Sequence, residues 1–341
     1  MYYISQPNLL QLLAQLKEDY QVFVPVKSGE QRYYKEYTDA AGDIVIGEVR
    51  PFEPLKAFFV RAREIVAEDF KSDIPARTSK PLAIVGVKAC DLKGFKIQDF
   101  VFSDHDYQDP FYINNRQTNL IISADCTLAI KTCFCLALGL KPYPQEDFDL
   151  NLSPIETGFL VEVGSEKGQL IINKFYSLFE NAGKDLINVK DEQRFRVIKE
   201  VENNIKAEDI PQQDEFTGMI ERNYEAKLWE EEAKTCVECG ACNTICPTCH
   251  CFLLYDQKHR KRSSRLRIWD SCMLKDFARV AGGANPRPKL WMRLRNRFEK
   301  KFDFFPKVAR IYACTGCGRC IWACPAKIDI RRVLKKLTEN V

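Results

Sequence analysis

Two cysteine runs constrain this chain more than any other feature. One reads Cys236-x-x-Cys239-x-x-Cys242-x-x-x-Cys246-Pro247, the other Cys314-x-x-Cys317-x-x-Cys320-x-x-x-Cys324-Pro325. A [4Fe–4S] cluster needs four thiolates. The C-x-x-C-x-x-C spacing brings three onto one loop while backbone N–H groups face the sulfurs. In two-cluster ferredoxins the fourth cysteine of each run serves the other cluster. The spacing therefore predicts a crossed assignment: Cys236, Cys239, Cys242 and Cys324 for one cluster, Cys314, Cys317, Cys320 and Cys246 for the other. Zinc also accepts four thiolates, but it does not require this arrangement, still less twice. With every iron held by cysteine, electron relay is favoured over chemistry at the clusters.

The crossing has a mechanical consequence. Residues 246 and 324 must come together, so the 67 residues between Cys246 and Cys314 leave as an excursion. Residues 255–310 carry 17 Lys or Arg against 5 Asp or Glu, while the whole chain has a net charge of only +4. The segment KHRKRSSRLR and the stretch with Trp291, Phe298, Phe302 and Phe304 read as a basic, largely helical insert. Beside two clusters, such a surface suits an acidic protein partner better than nucleic acid.

The chain has 341 residues, enough for about two domains at roughly 150 residues each. The expected fold is an α/β or α+β N-terminal domain with a mixed sheet over residues 1–215. A bacterial two-[4Fe–4S] ferredoxin-like domain follows over 225–341, carrying a long helical basic insert at 252–310. Residues 81–91 and 119–126 read as buried strands that end in Cys90 with Asp91 and in Cys126. LKAFFVRAREIVAE reads as a helix opened by Pro54. FLVEVGSEKGQLII reads as a hairpin turning at Gly164 and Gly168.

Fifteen cysteines leave seven outside the runs, an odd total that fits a disulfide framework poorly. Cys90, Cys126, Cys133 and Cys135 could hold a third cluster or lie as buried core residues. Cys249, Cys251 and Cys272 could supply ligands to a further site or pack near the redox centres. His250 reads as a neighbour of a site more than as a ligand. Asp99, Asp104, Asp106 and Asp109, with His105, read as a solvated capped loop with Arg116 beyond it. Neither a G-x-G-x-x-G fingerprint nor a Walker A loop is present, so no FAD or NAD site is expected on this chain. The N-terminus does not read as a signal peptide, and no apolar run reaches the ~18 residues of a membrane span. A cytoplasmic location with reduced thiols follows as the expectation.

Seven pieces carry a resemblance that spans nearly the whole chain: VGVKACDLKGFKIQD, DPFY, CFCLALG, CVECGACNTICPTCHCF, RLRIWDSC, NPRP and CTGCGRCIWACP. The chain resembles the beta subunits of soluble [NiFe] hydrogenases (sulfhydrogenases) and an electron-transfer subunit of anaerobic sulfite reductase. The resemblance implies an iron–sulfur electron-transfer subunit of a cytoplasmic oxidoreductase complex, a relay rather than the catalytic centre; the alternatives are such a subunit of anaerobic sulfite reductase or another flavin-based complex, or a catalytic reductase in its own right. Its implied partners are two: a subunit that binds flavin and NAD(P), and a catalytic subunit that bears clusters. All fifteen cysteines match recurring family positions. That strengthens the expectation of a third cluster at Cys90, Cys126, Cys133 and Cys135, and leaves the role of Cys249, Cys251 and Cys272 open.

Overall fold

The computed structural model describes residues 1–38, 42–69, 80–104, 106–259 and 262–339. His105, Arg260 and Lys261 lie outside them. The strands are β1 Tyr2–Ser5, β2 Gln21–Ser28, β3 Gln31–Glu36, β4 Arg63–Glu68, β5 Leu82–Val87, β6 Leu120–Ala124, β7 Leu150–Ile155, β8 Gly158–Val163, β9 Glu180–Asn181, β10 Phe252–His259 and β11 Arg262–Trp269.

The apolar runs LAIVGV and LIISA form β5 and β6, at the centre of the first region. Eight strands make one mixed sheet in the order β3-β2-β5-β6-β7-β8-β1-β9. The pairs β2/β5, β5/β6 and β6/β7 are parallel, and the remaining pairs antiparallel. Continuous apolar sequence is what a parallel strand covered on both sides demands. One face packs on helix Gln6–Leu16 through Leu9, Leu12, Leu13 and Leu16. The other packs on helix Ala89–Phe102 through Leu92, Phe95 and Phe102. The mixed sheet expected of the N-terminal region is present.

A second core lies in the C-terminal region. Phe298, Phe302, Trp229, Val333, Leu334 and Leu337 form its centre. Helix Lys184–Ala207 adds Val201 and Ile205, and an earlier loop adds Phe134 and Leu138. A three-stranded sheet, β10-β11-β4, joins the two regions, since β4 comes from the N-terminal part. Among the described residues, no helix is long and apolar enough to cross a membrane.

Three local expectations change. The insert is only partly helical: its first part is the hairpin β10–β11, and helix Leu290–Glu299 follows after a loop. Strand β11 buries Leu266 and Arg267 and pairs with β10 on one side and β4 on the other. The segment LKAFFVRAREIVAE splits into a single helical turn, Lys56–Phe59, and β4, because its second half finds β11 as a partner. FLVEV forms β8, but its hairpin partner is the preceding β7, and EKGQLIINK is a helix. Ser165 starts that helix by accepting a hydrogen bond from Gly168 N, so Gly168 lies inside the helix and not at a turn.

Candidate metal centres

The two runs fold alike. Gly240 and Gly318 each take a left-handed conformation (φ +71° and +69°) and start a single helical turn, Ala241–Thr244 and Arg319–Trp322. That turn carries the third cysteine of each run. Cys236, Cys239, Cys242 and Cys324 line one cavity of about 40 Å³. Met273, Leu294, Phe298, Ile328 and Ile330 close its inner side, Arg297 and Cys320 form part of its wall, and Cys239 and Val237 stand exposed at its rim. The four thiols grouped by the crossed assignment thus border one space.

Cys246, Cys314, Cys317 and Cys320 form the next group. Cys314 lies within electrostatic range of Cys246 and Cys320, and Cys320 within range of Cys317 and Cys246. The buried Lys301 ammonium donates to Cys246 Sγ at 3.3 Å and to Thr248 Oγ1 at 3.0 Å.

Cys90, Cys126, Cys133 and Cys135 line a third cavity, of about 30 Å³, together with Cys317. Cys90 stands in the first turn of helix Ala89–Phe102, directly after β5, and Cys126 follows the end of β6. These are the carboxyl ends of adjacent parallel strands, where open α/β sheets place their ligand sites. Cys133 and Cys135 come from the loop that enters the short 3₁₀ turn Cys135–Leu138.

That loop lies backbone to backbone against the second run. Phe134 N donates to Gly316 O at 2.9 Å. A side chain at Gly316 (φ +62°) would meet Cys135 Cα at 2.5 Å, and one at Gly318 would strike Thr132. These glycines therefore admit another stretch of chain, beyond easing approach to a cluster. The contact is clamped by Arg319, which is fully buried and pairs with buried Asp91 at 2.7 Å. Arg319 also donates to the carbonyls of Pro51, Phe52 and Glu53. Arg50 donates to Cys317 O.

Cys249, Cys251 and Cys272 form a fourth group. Phe252 pairs with Trp269, so the hairpin closes with Cys249 and Cys251 just before one strand and Cys272 just after the other. The Cys251 and Cys272 thiols lie close enough to shift one another's acidity, as do those of Cys249 and Cys246. Asn243 Nδ2 donates to Cys272 Sγ at 3.2 Å, and Cys249 Sγ lies 3.6 Å from Asn243 Oδ1.

The residues fit iron–sulfur clusters on two counts. First, the donors are thiols around small cavities, and among the described residues no three His, Cys, Asp or Glu converge as ligands of a single ion would. Second, Arg50 Nη2, Arg319 Nη1, Thr132 Oγ1 and Thr315 Oγ1 are buried without a hydrogen-bond partner among the described residues. All four belong to residues beside the second and third groups. Unpaired buried donors are costly, and cluster sulfurs are acceptors that would satisfy them. Burial pushes the thiols of Cys126 and Cys314 up to about 12 and that of Cys242 up to about 11. Cys90 and Cys135 rise well above the ordinary range for the same reason. Ligation requires the thiolates, so metal binding must drive that deprotonation. Cys246 and Cys272 are the exceptions. The adjoining Cys249 thiol holds Cys246 well below the usual thiol range, and that of Cys251 lowers Cys272 to about 6.

Other expected features settle differently. Asp109 caps helix Pro110–Thr118 by accepting from Tyr112 N at 2.9 Å, and it pairs with Arg267. Asp99 makes a two-pronged pair with Arg116 at 3.0 Å. Asp104 accepts from Ser103, and Asp106 is exposed. This is the capped-loop reading, with two structural ion pairs added. His250 is neutral, its value lowered to about 4 by burial, with Nδ1 facing Thr248 O at 3.1 Å. The basic insert is not simply a surface: Arg267, Arg293, Arg295, Arg297 and Lys301 are buried. The last four reach inward carbonyls, Asn243 and thiols because helix Leu290–Glu299 and the turn after it pack over the cysteine groups, while Arg267, on β11, pairs with Glu64 and Asp109. Arg50, Lys56, Asn243, Arg297 and Lys301 carry no recognisable sequence signal. The position of Arg319 inside a cysteine run is the one available hint.

Residues 235–328 match the family described as a 4Fe-4S dicluster domain. The chain is 31% identical over 331 residues to the sulfhydrogenase 2 subunit beta of Pyrococcus furiosus, covering 96% of this chain and 95% of that protein. No solved structure matches the chain.

Proposed function

The chain belongs to the family of sulfhydrogenase beta subunits, and we propose that it is the iron–sulfur relay of a cytoplasmic oxidoreductase complex. In this reading Cys236, Cys239, Cys242 and Cys324 hold one [4Fe–4S] cluster, and Cys246, Cys314, Cys317 and Cys320 hold a second. Cys90, Cys126, Cys133 and Cys135 hold a third. The N-terminal domain, 1–215, presents the third site, and the 225–341 domain the other two. The complex supplies a flavin- and NAD(P)-binding subunit on one side. On the other it supplies a catalytic subunit such as a [NiFe] hydrogenase. No flavin, nicotinamide or nucleic acid is assigned to this chain.

The observation that carries the reading is the sharing of walls. Cys320 belongs to the second group and lines the first cavity, while Cys317 belongs to the second group and lines the third cavity. The three sites therefore follow one another with a single cysteine between neighbours. Bound clusters would carry electrons one at a time along this order. The chain's own residues hold the positions: the Asp91–Arg319 pair locks site three to site two, and apolar side chains pack the inner side of site one. Hydrogen bonds from Arg50, Thr132 and Thr315 would tune the potentials.

The test is anaerobic purification followed by iron, acid-labile sulfide and EPR analysis. At least about 12 irons per chain are expected, with spin coupling between clusters, at four irons per cluster. Stoichiometric zinc, or about four irons, would overturn the reading. Reduction of the clusters by NAD(P)H only when a flavoprotein subunit is present would support the relay.

A further inference from the structure

The relay leaves a large feature unused. Beside Cys249, Cys251 and Cys272 lies a cavity of about 410 Å³, far larger than those of the first and third sites. Its wall carries Arg287, Arg297, Lys300 and Lys301 and, among the described residues, no carboxylate. Phe252, Phe277 and Phe305 form an apolar side.

Three cations are buried at this place: Lys56 (6% exposed), Arg297 (5%) and Lys301 (4%). Their partners are neutral oxygens and thiols. Lys56 donates to Cys249 O at 2.9 Å and Asn243 O at 3.3 Å. Arg297 donates to Asn243 Oδ1 at 2.9 Å and Cys242 O at 3.3 Å. Lys301 donates to Ala313 O and Thr248 Oγ1 and reaches Cys246 Sγ and Cys249 Sγ. Among the described residues none of the three has a carboxylate in ion-pair range. A buried charge without a counter-charge is costly, so negative charge has to be supplied here. Thiolates of the first and second sites, Cys242, Cys320 and Cys246, answer part of Arg297 and Lys301. Lys56 holds the carbonyl of Cys249, and its nearest thiol charge is that of Cys249 itself.

We propose that Cys249, Cys251 and Cys272 hold a fourth [4Fe–4S] cluster whose fourth iron carries no cysteine and faces the cationic cavity. The inference rests on the relay reading, because that reading uses the other twelve cysteines and leaves three. Three thiolates and a 2+ core sum to one negative charge, and a small anion on the open iron adds to it. The buried cations answer both. Arg287 and Lys300 stand on the cavity wall, where an entering anion would meet them. Neighbouring Cys242 lies within electrostatic range of Cys272, so the fourth site adjoins the first. It forms a branch from the relay and ends at a place where a ligand can bind.

The test uses the whole chain, purified anaerobically without the cluster-bearing subunit, so that all iron counted is its own. Iron in this chain should reach about 16 per copy, at four per cluster. The triple variant C249S/C251S/C272S should fall to about 12 while keeping the coupled relay signals. Wild type at about 12 with no change in the triple variant would remove the fourth site and leave the relay standing. A wild-type value below about 8 would instead remove the relay reading itself. Should the variant fold poorly, the native protein gives a second readout. Ferricyanide treatment should take one electron and release one Fe²⁺ per chain. A [4Fe–4S]²⁺ core then becomes [3Fe–4S]¹⁺, with its characteristic EPR signal. Cyanide should perturb the reduced spectrum, and less so in R287Q/K300Q. Absence of the three-iron form would show that a protein ligand closes that iron, and the open site would be wrong.

Discussion

The Cys236 site and the Cys249 site flank the turn that carries Cys242 and Asn243, and they differ in almost every physical respect. The first is a space of about 40 Å³ walled mostly by Met273, Leu294, Phe298, Ile328 and Ile330, with Arg297 the one cation shared with the second. The second opens into about 410 Å³ walled by Arg287, Arg297, Lys300 and Lys301. The cause is what covers each. Helix Ile330–Glu339 puts Val333, Leu334 and Leu337 into the core beside the first site. The second lies at the mouth of the hairpin β10–β11, against the loop that carries Phe277 and Arg287. A small, mostly apolar site leaves little room for a ligand and limits reorganisation, which suits one-electron transfer. A roomy cationic site suits binding.

Removal of a thiol from the Cys236 site should give the largest effect. Cys242→Ser should remove about four irons and four sulfides and reduce NAD(P)H-linked turnover of the assembled complex to background. Equal turnover in C242S and wild type would break the comparison, because it would take the Cys236 site out of the electron path. Next comes Arg319→Met, which strands Asp91 in the interior. Loss of one partner of a buried pair costs about 3–5 kcal/mol, readable in chemical denaturation under anaerobic conditions. A cost below about 1 kcal/mol, the range of exposed pairs, would mean that the clamp between the second and third sites is not structural.

Leu294→Ala removes part of the apolar wall and should cost about 2–5 kcal/mol. It should also speed loss of the first cluster in air while leaving the Cys249 site unchanged. If both sites lose iron at the same faster rate, that wall is not what separates them. The smallest effect is expected of Gly240→Ala. Its left-handed backbone alone costs about 1–2 kcal/mol in a residue with a Cβ. The added carbon would meet Ser271 Cβ at 3.2 Å, next to Cys272, so the change presses on both sites through one turn. Iron release on warming, followed by EPR, should then quicken at the two sites together. Release confined to the Cys249 site would show that this turn does not couple them.

How far sequence reading reaches depends on how each group is built. The eight run cysteines are legible because their ligand spacing is local: one loop sets three thiols, and Gly240 or Gly318 sets the turn. Cys90 and Cys126 are legible as strand-end residues, since β5 and β6 are unbroken apolar runs. The expectation of a helical insert fails over β10 and β11. There, strand pairing with β4, from the far side of the N-terminal sheet in sequence, outweighs local preference. The expectation of a basic surface fails for Arg293, Arg295, Arg297 and Lys301. Their burial depends on which helix face meets the cysteine groups.

Thiol number and spacing alone dictate the cofactor chemistry, and apolar runs with their breaks dictate the mixed sheet. Packing alone places Cys317 and Cys320 between neighbouring sites, clamps Arg319 on Asp91, and gathers three buried cations at Cys249. Those facts join residues far apart in the chain. Spacing describes what one loop can do. A charge or a thiol that needs a distant partner acquires its role only when packing brings that partner within a few ångströms.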